Sequence, residues 1–283
     1  MRRRCQSMNT NKRKLLTGPY LVWAVGFIIL PLLMIIYYGF TSGDGQFTLD
    51  NFLAIADPIH AKALWESILI AFGSTLISLV LAYPLAYFLS NSARGKSGTI
   101  IMLFMLPMWI NFLLRIMALQ MILSNTGILN AILGFFGIEP LHIMYSKTAI
   151  LIGMAFEYLP FMILPIYTVL LKLDGALPEA AADLGAKRHQ VFFKVILPLS
   201  MPGIISGVTM VFLPAMTNYV VLDMVYNSTY IMGSLIGSYF NTYDWNNGSM
   251  ISMVLLFIIF GITWITGKIT GDDADIQRGG AAL

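Results

Sequence analysis

LDGALPEAAADLGAKRHQVFFKVILPLSMP, residues 173–202, is the one long polar-flanked segment between strongly apolar runs. Pro178 stands where a helix is expected to begin, because a missing N–H costs nothing in a first turn. Glu179-Ala180-Ala181-Ala182-Asp183-Leu184 then adds good helix formers, with acids early, where the helix dipole favours them. Gly185 is expected to stop this helix, since glycine most easily takes the left-handed conformation after a helix end. A second short helix is expected next, with Val191, Phe192, Val195 and Ile196 on one face and Lys187, Arg188 and Lys194 elsewhere, closed by Leu197-Pro198. The first helix is too short to be stable alone. Leu177, Ala180, Ala181 and Leu184 share one of its faces. Such a helix either lies on its own protein as a connector or docks on a partner surface.

The spacing favours docking. Glu179-Ala180-Ala181, three residues, Gly185, nine residues, Val195, one residue and Leu197-Pro198 resembles the EAA loop of permease subunits of bacterial ABC importers, with Val195 where the family pattern has Ile. The resemblance implies that these seven residues form an ATPase-coupling loop. In that family the helix pair docks into a groove on the ATP-hydrolysing subunit and transmits its motion.

Composition agrees independently. The chain is 58% hydrophobic with 11% charged residues, too apolar for a soluble domain of 283 residues. A single cysteine, Cys5, excludes a disulfide framework and a cysteine-rich metal site. Residues 1–14 carry Arg2, Arg3, Arg4, Lys12, Arg13 and Lys14 and no acid. Placed directly before an apolar run, they read as a cytoplasmic anchor rather than a nucleic-acid arm. The run Leu15–Phe40 is too long for a signal-peptide core and is expected to be the first membrane helix. Five more runs are long enough to span, roughly Ala63–Leu89, Thr99–Leu123, Thr148–Leu171, Gly203–Val225 and Ser249–Gly267. Domain organisation follows: a basic segment 1–14, a permease domain 15–267 with its loop at 173–202, and a small-residue-rich tail 268–283.

Six spans put both termini on one side. That side holds the six N-terminal basic residues, Arg94, Lys96, Lys172, Lys187, Arg188, Lys194, Lys268 and Arg278. The other side keeps Lys62 and Lys147, and Arg115 lies within a span. The asymmetry predicts cytosolic termini and a cytosolic 173–202 loop. The opposite side is acidic, with Asp44, Asp50, Asp57, Glu66, Glu139 and Asp244. These either concentrate a cationic substrate or simply occupy a side from which basic residues are excluded.

Catalytic patterns are missing. Arg94-Gly95-Lys96-Ser97 imitates the end of a phosphate-binding loop, but Ser90 stands where the earlier glycine is required. His60, His142 and His189 lack paired metal-ligand spacing. The chain is therefore expected to be a non-enzyme with no catalytic residues, metal or cofactor of its own. ATP and magnesium are expected on a partner subunit.

Ionisable residues inside spans are costly and point to function. Glu157 falls near the middle of the fourth run, and Arg115 lies in the third, one turn beyond Asn111. Asp223 follows Asn218 and Tyr219 near the end of the fifth. Glu157 and Arg115 either face the translocation path or pair with each other. A second resemblance narrows the solute. Pro107-Met108-Trp109-Ile110-Asn111 with Arg115, Tyr158-Leu159-Pro160-Phe161-Met162 and Leu213-Pro214-Ala215-Met216 look like the permeases of spermidine/putrescine importers. In that reading Trp109, Tyr158 and Tyr219 give a polyamine aromatic faces, while Glu157 and Asp223 supply counter-charge.

The expectation is an all-α membrane protein of six transmembrane helices with the type I ABC importer permease fold, in the bacterial cytoplasmic membrane. The resemblance implies a second homologous permease, two copies of an ATP-binding subunit, an extracytoplasmic substrate-binding protein and a polyamine substrate. Alternatives are the same machine carrying an opine or inorganic ion, or an ion-coupled secondary transporter.

Overall fold

The computed structural model describes residues 18–53, 57–92, 98–226 and 230–280. The basic 1–14 segment, Arg94 and Lys96 lie outside them. In chain order the helices are α1 (Gly18–Gly39), α2 (Pro58–Asn91), α3 (Thr99–Trp109), α4 (Phe112–Leu123), α5 (Ile128–Phe135), α6 (Lys147–Lys172), α7 (Ala176–Asp183), α8 (Arg188–Thr217), α9 (Tyr219–Val225), α10 (Met232–Asn241) and α11 (Trp245–Gly280). Six segments among the described residues are long and apolar enough to cross a membrane: α1, α2, 112–135, α6, α8 and Trp245–Lys268. α11 continues beyond its apolar part to Gly280, into the 268–283 tail.

The chain divides into two packing units, residues 1–58 with 236–257, and residues 59–235 with 258–283. In the first, α1 opens into a wider π turn at Val25–Ile29, ahead of Pro31, where the ring would collide with the carbonyl four residues back. A tight turn follows, bridged between Thr41 and Phe47, with Gly45 at φ +76°. Two asparagines hold the end of α1. The Asn51 amide donates to the Gly39 and Thr41 carbonyls at 3.0 and 2.9 Å, and the Asn246 amide donates to the Tyr38 carbonyl at 3.0 Å. Gly39 is small enough to lie against Met250 and Met253.

In the second unit α6 is the most buried of the membrane segments. Its neighbours approach through glycine. A Cβ on Gly203 of α8 would come within 2.9 Å of the Pro165 carbonyl, and one on Gly207 within 2.8 Å of Met162 Sδ and 3.2 Å of its carbonyl. Gly203 and Gly207 are four residues apart, the G-x-x-x-G spacing that lets membrane helices meet backbone to backbone. Gly73 of α2 accommodates Leu151 and Gly153 of α6 accommodates Val221 in the same way. At the Lys147 end, the Lys147 ammonium meets both Glu66 carboxylate oxygens at 2.7 and 2.9 Å. Elsewhere Tyr83 Oη and Ser200 Oγ share a hydrogen bond of 2.9 Å, and the Met232 amide donates to Ser67 Oγ at 2.9 Å.

Three sequence expectations need correction. The third run is not one helix from Thr99 to Leu123: α3 ends in a 3₁₀ turn at Leu106–Trp109, Ile110 is extended, and Asn111 starts α4 afresh. The fifth run breaks likewise at Asn218, between α8 and α9. In both, a proline four residues earlier has already weakened the hydrogen-bond ladder, and an asparagine side chain offers the next helix a cap. Conversely, Leu197-Pro198 ends nothing. A π turn at Phe192–Ile196 widens the backbone where the Pro198 ring would strike the Lys194 carbonyl, and α8 runs on to Thr217.

The glycine contacts make a direct prediction. Gly203→Val should sharply reduce the yield and thermal stability of detergent-extracted protein, because the atom it would strike is a backbone carbonyl. Gly134→Val, where an added Cβ meets nothing, should leave both close to wild type.

Candidate functional site

Most of the residues singled out in the sequence fall in two regions, the loop between α6 and α8 and a polar cluster halfway along α6. α7 begins at Ala176, two residues before Pro178, with the Asp174 carboxylate accepting the Ala176 amide at 3.0 Å. Pro178 therefore sits inside the first turn, where its missing N–H is still harmless. At the other end Gly185 has φ +85°. Its amide donates to Ala182 O at 2.9 Å and the Ala186 amide to Ala181 O at 3.1 Å, the paired bonds of a Schellman ending. The Lys187 amide is capped by Gln190 Oε1 at 2.9 Å, which starts α8.

No residue of α7 is buried, and Leu184 beside it is 90% exposed. Glu179 and Ala180 lie on this open surface, with Ala181 half-buried; Val195 lies in the π turn, and Leu197 and Pro198 lie within α8. Phe192, noted in the sequence merely as part of an apolar face, is met edge-on by Tyr83 and Tyr87 of α2, with ring centroids 5.7 and 5.6 Å apart. The Tyr83/Tyr87 spacing of one helical turn was the available signal for this contact.

Halfway along α6, Glu157 is 3% exposed and pairs with the Arg115 guanidinium of α4. The contact is end-on, through Arg115 Nη2 and Glu157 Oε1, while Arg115 Nε and Glu157 Oε2 are buried without a hydrogen-bond partner among the described residues. Next to Glu157, Tyr158 Oη accepts from the Asn218 amide at 2.7 Å, and Asn218 Oδ1 caps α9 through the Val221 amide. Asn111 caps α4 in the same manner, through the Leu113 amide at 2.9 Å. The Gln120 side chain of α4 donates to the Met224 carbonyl of α9. One network thus ties both helix restarts to α6.

The structure brings Arg115, Glu157, Tyr158 and Asn218 together, with Asn111 fixing the start of the helix that carries Arg115. Trp109 and Tyr219 are exposed and Asp223 lies on the surface of α9, outside this cluster. Sequence reading missed the helix restarts, although a repeated phrase marks them: Leu106-Pro107-Met108-Trp109-Ile110-Asn111 and Leu213-Pro214-Ala215-Met216-Thr217-Asn218 both read Leu-Pro, three residues, Asn.

Residues 78–266 match the family described as binding-protein-dependent transport system inner membrane component. The chain belongs to that family. Its residues are 39% identical over 247 positions to the spermidine/putrescine transport system permease protein PotB of Escherichia coli (strain K12), covering 84% of this chain and 90% of that one. Identity to the protein of the same name in Haemophilus influenzae is 33% over 283 positions, covering 95% and 99%. The inner membrane ABC transporter permease protein YdcU of Escherichia coli (strain K12) is 30% identical, covering 79% and 78%. Two crystal structures of bacterial ABC transporters for alginate, one in complex with an alginate pentasaccharide-bound periplasmic protein, each contain a chain of the same fold. TM-scores are 0.75 and 0.76 at 15% identity, covering 91% and 92% of this chain. The permease is thus a multi-pass inner-membrane protein with the fold of an ABC transporter permease.

Breaking a buried ion pair by removing one partner typically costs about 3–5 kcal/mol, because the other charge is left uncompensated. Glu157→Gln and Arg115→Gln should each lower the thermal stability of the permease markedly. The double variant should recover most of that loss, as read from melting curves of the three purified proteins.

Proposed function

We propose that this permease forms, with a second homologous permease, the path by which a bacterial ABC importer carries polyamines such as spermidine and putrescine into the cell. The supporting observation is the 33–39% identity to the PotB permeases over most of both chains. In this reading both termini and the α7 loop face the cytosol. Two copies of an ATP-binding subunit carry ATP and magnesium, so hydrolysis occurs outside this chain. An extracytoplasmic binding protein delivers substrate to the opposite side.

The exposed α7, ended at Gly185, is the coupling element. Two residues separate Gly185 from α8, which runs on past Pro198, so a push on α7 is passed to the helix packed against α6. Glu157 supplies counter-charge for a substrate ammonium. Arg115 holds that carboxylate when no substrate is present, and its end-on contact leaves Oε2 for an incoming cation. Of the acids expected to concentrate a cation, Glu66 is neutralised by Lys147, and Asp244 is occupied in bonding Asn247. Glu157 is paired too, but it lies within a membrane segment and keeps Oε2 without a hydrogen-bond partner among the described residues, which makes it the better candidate for recognition.

Uptake of labelled spermidine and putrescine by the reconstituted importer, with an opine and inorganic ions as competitors, tests the substrate class. Polyamine uptake resistant to those competitors supports it; uptake of another solute in preference overturns it. The Arg115→Gln/Glu157→Gln double variant tests the role of the pair. If Glu157 meets substrate, the restored protein should still transport polyamine about tenfold or more slowly at limiting concentration, as expected for a lost charge contact. Full uptake in the double variant would make the pair structural only.

A further inference from the structure

α5 and the turn around it carry their polarity the wrong way round for a loop in water. Its one polar side chain, Asn130, is buried, and its amide donates to the carbonyls of Ser124, Asn125 and Leu141 while Oδ1 accepts the Leu141 amide at 2.8 Å. Ile128, Ile132, Phe135 and Phe136 point away from the protein, with Phe135 87% exposed. A soluble loop would bury the isoleucines and phenylalanines and leave the asparagine outside. Here Asn130 satisfies the backbone of the loop, and the outward face is left wholly apolar.

Placement follows from the chain path. Four residues separate α5 from α4, and Gly127 turns the chain so tightly that a Cβ there would meet the Met121 and Ile122 carbonyls at 2.3 and 2.6 Å. Although 112–135 is long and apolar enough to cross as a whole, this tight turn takes α5 out of line with α4 and leaves it at the level where α4 reaches the membrane surface. That surface is opposite the α7 loop, because residues 124–146 precede α6 and the α7 loop follows it. The exposed apolar residues Leu114, Met117 and Met121 of α4 lead up to it. No charged residue occurs between Arg115 and Glu139. A protein-binding patch normally has a polar rim and hydrogen-bonding groups around its apolar centre. Exposed polar residues do flank α5, at Asn125, Thr126, Glu139 and His142, but its own outward face carries none, and a face that continues the exposed apolar surface of α4 suits the boundary between lipid headgroups and acyl chains.

We propose that α5 is an interfacial helix seated in the lipid leaflet on the side opposite the α7 loop, with Ile128, Ile132 and Phe135 in the acyl region and Asn130 facing the protein. The helix anchors the entry to α6 and keeps the segment before it at a fixed depth.

Spin labels on Ile128→Cys, Ile132→Cys and Phe135→Cys, each in a Cys5→Ser background, test this in the complete importer in lipid nanodiscs. Asp44→Cys serves as the water-exposed reference. The expected result is collision with oxygen over a water-soluble nickel complex in a several-fold higher ratio than at Asp44, at two or more of the three positions. Three separate positions allow for one variant that fails to assemble. Equal access to the nickel complex would overturn the proposal. So would protection from both relaxants, which would mean that the second permease or the binding protein covers α5.

Discussion

The backbone contact between α6 and α8 is the constraint on which the second packing unit depends. A Cβ at Gly203 would strike the Pro165 carbonyl at 2.9 Å, and one at Gly207 would crowd Met162 and its carbonyl at 2.8 and 3.2 Å. Dispersion and packing, rather than water exclusion, hold membrane helices together, so association here depends on how closely the two backbones can approach. Pro160 and Pro165 lie inside α6 without ending it. Neighbouring protein around a proline covers the backbone groups it leaves free, which is the condition for keeping one in a membrane helix.

α6 is also the element that the other functional parts share. The Arg115 pair, the Tyr158–Asn218 bond and the Gly153–Val221 contact attach α4 and α9 to it. The α7 loop leaves its end, and α8 returns along it. Under the proposed arrangement, motion of an ATPase enters at α7. It passes through the π turn held by Tyr83, Tyr87 and Phe192, and reaches the buried pair through a helix already locked to α6. The two interrupted segments, at Ile110–Asn111 and at Asn218, are places where the remaining helices can change direction without disturbing that pair.

Much of this was legible in the sequence. Hydropathy found six membrane segments but drew the third and fifth over 99–123 and 203–225, where the long apolar segments are 112–135 and 188–217. The Pro178-to-Gly185 phrase marked the α7 helix and its end, because capping and positive φ are local properties. The breaks after Pro107 and Pro214 were not anticipated. A proline inside an apolar run is read alike whether the helix survives it, as at Pro160, or restarts, as at Asn218, and neighbours far along the chain decide which happens. Pro198 misled for the converse reason, since the preceding π turn relieves the clash that should have ended the helix. Contact between Arg115 and Glu157 was one of two open readings, and only the approach of α4 to α6 brings the two side chains together. Gly203 and Gly207 had the right spacing on the page, but nothing local says which helix they face.

If the glycine contact locks them, α6 and α8 move as one body while the importer works. Spin labels at Leu164→Cys and Met210→Cys, both exposed, in a Cys5→Ser background would report the distance between the two helices by pulsed dipolar spectroscopy. The assembled importer would be compared without nucleotide and with ATP under non-hydrolysing conditions. A locked pair should give the same narrow distance distribution in both states. A shift or a second population on ATP binding would show the helices sliding past each other and would contradict the lock.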